Sequence, residues 1–299
     1  MKDYGTIPAG YDGTANTYSG LIGKIGKQLV EGETINSEFS GLFKEGYRTG
    51  RDLEIAVYKA ATGVDYSATD APEAPFPQKQ ILLFKGATKR TYPVKIDDKE
   101  IREGALDEAR AAEIAGEIVQ TLYSGAFKEE NAEVRALFAD AVDTDTGAGV
   151  QIIDGGTYAE PATETDAKAL LAKIKNFAKL IRAGKTEVNP KGLEVKAPVV
   201  CALIPYNAIT GIDVYARLGA ENPEYTRFDI DEVYEYVPDE DETPAIYIFD
   251  SRYAQISKIH PDSYKEQPVA GCDNVNAFLH RYVQYAACSL FSAVKITEA

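Results

Sequence analysis

The chain has 299 residues, 44% of them hydrophobic and 26% charged, with a formal net charge of −15. That apolar share supplies a sizeable core without help from disulfides or metals. The charge argues against free duplex nucleic acid as a direct ligand, because such binding relies on neutralising phosphates.

The three cysteines, Cys201, Cys272 and Cys288, form no close pair. They suit neither a zinc site nor a disulfide framework, and their odd number argues against secretion. No apolar run approaches the ~18 residues of a membrane span. The opening "MKDYGTIPAGYDGTANTYSG" is polar, Gly-rich and unlike a secretory leader. A soluble product made in a cytoplasm is expected.

Residues 1–20 carry Gly5, Pro8, Gly10, Gly13 and Gly20 without periodicity, which predicts an irregular arm. Leu21, Ile22, Ile25 and Leu29 then follow helical spacing, but Gly23 and Gly26 interrupt it, so this helix would need a packing partner. Over 52–58 Leu53, Ile55 and Val57 alternate with polar or small residues, a strand signal. Pro72, Pro75 and Pro77 exclude a helix over 62–80 and make a central strand implausible there. A second strand-like run covers 81–96. Together these segments predict a long two-stranded projection with a loose Pro-rich section, and such a ribbon must lie on something to be stable.

Helical signals begin at residue 97. Ala111, Ala115, Ile118 and Leu122 fall near one face, with acidic residues crowding the start, and a second short helix is expected after Gly125. The cleanest amphipathic pattern is "TETDAKALLAKIKNFAKLIRAGK". There Leu170, Leu171, Ile174, Phe177, Leu180 and Ile181 share a face and Gly184 supplies a stop. Val-, Ile- and Tyr-rich strands follow, so 166–260 reads as one α/β unit. The last stretch, "NVNAFLHRYVQYAACSLFSAVKI", is apolar on nearly all sides and reads as buried helix or strand.

Candidate chemistry is sparse. His260 and His280 are the only histidines, neither in a metal-ligand spacing, and His280 reads as a core residue. "GLIGKIGK" spaces its glycines as G-x-x-G-x-x-G, matching no nucleotide fingerprint. Asp140, Asp143 and Asp145 with Gly147 resemble a calcium loop, but the glycine comes one position early and Asp154 stands where a bidentate Glu belongs. "VPDEDETP" is a charge run between prolines and reads as a solvated loop tip. No nucleophile elbow or His-Glu-x-x-His occurs. The expectation is no enzyme, with no catalytic, cofactor-binding or metal site and no cofactor.

Two stretches carry a resemblance: "KRTYPVKIDDKEIREGALDEARAAEIAGEIVQTL" and "NAFLHRYVQYAACSLFSAVKI". With the order arm, extended loop, long helix, α/β unit and buried ending, the chain resembles the major capsid proteins of tailed bacteriophages, the Hong Kong 97-like fold. The first stretch is similar to the passage from extension loop into spine helix, and the second to the final element returning to the peripheral domain. The middle, with "APVVCALIPYNAI" and "PAIYIFDSRYAQISKI", looks like the family's axial domain.

The resemblance implies an α+β fold divided into an N-terminal arm at 1–45, an extension loop at 46–96 and a peripheral domain with spine helix at 97–160. The axial domain would be 161–265, and 266–299 would return to the peripheral domain. It also implies self-assembly as hexamers and pentamers into an icosahedral shell around double-stranded DNA, held without sequence-specific contact. A portal and a separate scaffolding protein would be partners, because only about 45 residues precede the loop. The product would be assembled in the host cytoplasm and reside in the virion, with no membrane partner. No acceptor or catalytic residue for a cross-link to Lys79, Lys85 or Lys89 can be matched. An encapsulin-like compartment shell shares the fold and stays open as an alternative, as does a cytosolic α/β enzyme.

Overall fold

A computed structural model describes residues 39–44, 52–59, 78–84, 87–96, 108–139, 152–217, 228–238, 243–269 and 275–299. The first half holds β1 (Leu53–Tyr58), β2 (Lys79–Phe84), β3 (Thr88–Ile96), α1 (Glu108–Ala139), β4 (Ile153–Tyr158) and α2 (Glu164–Ala183). Then come β5 (Val200–Pro205), α3 (Tyr206–Ile212), β6 (Glu232–Tyr236), β7 (Ala245–Asp250), β8 (Ser257–Lys258), β9 (Ser263–Pro268), β10 (Val275–Gln284) and β11 (Ala293–Glu298).

β5 and β7 are buried along their whole length, as the unbroken apolar runs "VVCALIP" and "AIYIF" require of strands covered on both faces. They lie in a five-stranded mixed sheet of order β4-β11-β7-β5-β6. Alternate side chains serve opposite layers. Val200, Ala202 and Ile204 pack with α2 residues Leu170, Ile174 and Ile181 in one core. Cys201 and Leu203 enter a second core with Phe39, Leu42, Phe138 and Tyr253.

α2 follows its sequence closely. Thr163 Oγ1 accepts the Asp166 N–H, and Glu164 and Asp166 sit at the positive end of the helix. Gly184 ends it at φ 69°, its N–H bonded to the carbonyls of Leu180 and Ile181.

β10 is the centre of the other large sheet, pairing antiparallel with β3, β8 and β9. Its side chains alternate between buried and half-buried, so the C-terminal stretch is not apolar all round. α1 lies across this sheet and then reaches the second core. Phe138 puts its ring 5.3, 4.7 and 5.8 Å from those of Tyr247, Phe249 and Tyr253.

Three sequence expectations change. The two helices expected either side of Gly125 are one 32-residue helix. Gly125 has open space where a Cβ would be, and a lone glycine weakens a packed helix without ending it. The strand-like run at 81–96 is two strands that diverge: β2 pairs with β1, whereas β3 pairs with β10. The described ribbon therefore ends at Phe84, and β3 belongs to the body. Finally, β4 and β11 both join the five-stranded sheet, so strand pairing crosses the boundaries read at 160 and 265. Chain order alone could not reveal that, because strand partners lie far apart in sequence: Val294 is 141 residues from Ile153 and Val283 is 195 from Thr88.

Candidate assembly surfaces

The ribbon β1–β2 pairs Glu54 with Leu83, Ala56 with Ile81 and Tyr58 with Lys79 on one face. The other face carries Ile55, Val57, Leu82 and Phe84, which pack against the second core. The first face is open, leaving Tyr58 63%, Ile81 43% and Leu83 52% exposed. Among the described residues no third strand pairs with the ribbon. A ribbon that is apolar on both faces and unpaired along both edges presents what a further chain can cover.

A second exposed apolar group lies on α3 and the turn after it, where Tyr206, Val214 and Tyr215 are each about half exposed. A third surface is the face of the β3–β10–β9 sheet turned away from α1. It carries Phe278, His280 and Tyr282 beside Lys89, Thr91 and Pro93. His280 Nδ1 is 2.9 Å from Thr91 Oγ1, and His260 stacks on Tyr282 with ring centroids 5.6 Å apart. His280 is therefore half-buried on this open face rather than in the core. Its sequence neighbours Leu279 and Arg281 point to the opposite side, as strand alternation dictates.

The stretch 39–44 is fixed to the body. Phe39 and Leu42 are buried in the second core, and the Lys44 N–H donates to the Ile256 carbonyl. Lys44 Nζ donates to the Ser251 carbonyl at 2.7 Å, and burial lowers its pKa. Nearby, Cys201 Sγ lies 3.6 Å from Glu232 Oε2, and burial pushes that thiol far up. Cys288 is pushed up to about 11, again by burial. Thiols so shifted are not thiolates at neutral pH and are poor nucleophiles.

Of the other singled-out residues, Asp154 lies on β4 and its Oδ1 accepts the Gly156 N–H at 2.8 Å, a local turn contact. Asp140, Asp143, Asp145, Gly147, Cys272, Lys85 and the "GLIGKIGK" segment lie outside the described residues, as do residues 239–242 of "VPDEDETP". Among the described residues no group of three or more His, Cys, Asp or Glu is placed to hold a metal. Likewise no described helix is long and apolar enough to cross a membrane. Sequence reading missed the ionic centre of the α1 seam, although Glu130 interrupts an apolar series at every fourth position: Leu122, Ala126, Val134 and Phe138.

The family model of the Phi29-like phage major capsid protein matches residues 1–297. No curated protein matches the chain in sequence. Among solved structures it is similar to the capsid of Staphylococcus phage Andhra, at 12% identity and a TM-score of 0.66, covering 89% of this chain and 85% of that one. Mycobacterium phage Che8 gives 13% identity and a TM-score of 0.60, covering 88% and 92%. The mature capsid of bacteriophage PhiM1 gives 10% identity and a TM-score of 0.59, covering 90% and 89%. At such identities the structures speak for the fold, and the family match extends over nearly the whole chain. The chain belongs to the Phi29-like phage major capsid protein family, with a Hong Kong 97-like α+β fold, and is a shell-forming structural protein of the virion.

Proposed function

We propose that this chain assembles as hexamers and pentamers into the icosahedral head shell around packaged double-stranded DNA, with its ribbon lying across a neighbouring copy. The observation carrying this reading is the open face of β1–β2, where Tyr58, Ile81 and Leu83 stand exposed on a two-stranded ribbon. Such a ribbon is marginal alone and gains by being covered. The net charge of −15 suits a container that repels the duplex and so lets it slide during packing.

In this reading α1 with the β3–β10–β9 sheet forms the peripheral domain, and the five-stranded sheet with α2 and α3 forms the axial domain. Portal and a separate scaffolding protein are its partners, assembly takes place in the host cytoplasm, and the subunit catalyses nothing. The family match favours this over a compartment shell or an α/β enzyme. Electron microscopy of the purified protein, with and without a co-expressed scaffolding protein, tests it. Closed particles of uniform size are expected, and a stable monomer under both conditions would overturn it.

A further inference from the structure

Charge in the core of the seam between α1 and the β3–β10–β9 sheet is concentrated at one level. On α1 the buried residues Leu122, Ala126, Glu130, Val134 and Phe138 recur at every fourth position. On β10 the buried residues Val275, Ala277, Leu279, Arg281 and Val283 recur at every second. One charge interrupts each stripe, and the two meet. Arg281 Nη2 lies 2.6 Å from Glu130 Oε2, with the side chains 6% and 3% exposed.

Asp262, in the turn between β8 and β9, stands 3.4 Å from Arg281 Nε. Lys258 balances it at 3.0 Å, so two acids and two bases sum to zero. The guanidinium also lies 5.5 Å from the centroid of the Phe127 ring. The set is held by charge rather than by hydrogen bonds: Glu130 Oε2, Arg281 Nε, Asp262 Oδ1 and Asn131 Oδ1 are all buried without one.

Apolar contact is non-directional, so a helix on a greasy sheet can roll or slide with little change in buried area. A buried ion pair, by contrast, ties each charge to one position opposite its partner. Moving the helix would part Glu130 from Arg281 and leave charges buried without partners. Stability alone does not call for this arrangement, because apolar side chains of similar volume pack at least as well as a buried ion pair. Geometry does call for it. About two turns past Glu130, α1 inserts Phe138 among Tyr247, Phe249 and Tyr253. A roll at Glu130 would therefore re-aim one sheet against the other.

We propose that Glu130, Arg281 and Asp262 are positioning residues that lock the angle between the two sheets, so that every subunit presents its contact surfaces alike and the shell closes at one size. This rests on the shell reading above. Two variants test it. E130L/R281M removes one charge of each sign and leaves Asp262 paired with Lys258, whereas R281K keeps the charge and loses the planar fork. Each is compared with wild type for melting temperature and, by electron microscopy, for particle diameter.

Both subunits should melt within about 4 °C of wild type, yet give a spread of diameters about twice as wide or more, since uniqueness is lost before stability. If only one variant folds, that one decides. Uniform particles of wild-type diameter from a folded variant overturn the proposal. If neither folds, the triad is a stability element and the proposal is overturned as well. Wild-type protein that forms no closed particles would instead count against the shell reading itself.

Discussion

At the scale of single residues, the two ends of α2 differ in what they tolerate. Gly184 sits at φ 69°, and a Cβ there would come within 2.7 Å of backbone atoms of Val195 and Lys196. Neither the helix end nor the backbone at 195–196 can give way cheaply at such a contact, and the left-handed conformation adds its own cost. Gly184→Ala should therefore cost about 2–4 kcal/mol. At the other end the Thr163 hydroxyl accepts the Asp166 N–H and donates to Asp166 Oδ2 on an exposed first turn, so Thr163→Ala should cost about 1 kcal/mol. Urea unfolding midpoints of the two variants check the order. Equal losses would mean that the backbone at Gly184 relaxes.

At the scale of elements, α1 and the ribbon separate folding from assembly. Phe138 is fully buried against three aromatic rings. Phe138→Ala should cost about 3–5 kcal/mol and lower the yield of folded subunit. The ribbon's open face should behave in the opposite way. Ile81→Lys with Leu83→Lys replaces two exposed apolar side chains, so stability should shift by no more than about 0.5 kcal/mol, while closed particles are lost. Deletion of residues 63–78 should give the same separation. A deletion variant that unfolds outright would place that segment in a core rather than in a projection.

At the scale of the whole molecule, burial of phenols and thiols sets a limit on the alkaline side. Burial raises the pKa of Tyr92, Tyr158, Tyr253, Tyr264 and Tyr285, drawn from both sheets and the segments around them. It also raises Cys288 from 9.0 to about 11. A group whose acid form is favoured in the fold stabilises fully below its unfolded pKa and loses that contribution as pH rises through the folded one. The thiol's share should thus disappear between about pH 9 and 11, and the phenols' share above about pH 10. Thermal melts should be level up to about pH 9 and fall steeply beyond pH 10. In Cys288→Ala the fall between pH 9 and 11 should be shallower, and an unchanged slope there would show that this thiol is not protected.

Local patterns carried much of this architecture. α2 and its stop follow from periodicity and Gly184, and the strand β1 from simple alternation, because each depends on contacts within a few residues. The order of elements pointed to the capsid fold and its shell function before any contact was known. Pairing was another matter. That β3 leaves the ribbon for β10, that β11 lies between β4 and β7, and that His280 faces outward all depend on partners far away in the chain. Glu130 is the plainest case. In the sequence it is one acid among several on a helix, and only the packing of α1 on β10 sets it against Arg281. Short-range periodicity decided the elements, and long-range pairing decided which faces met and which were left open for assembly.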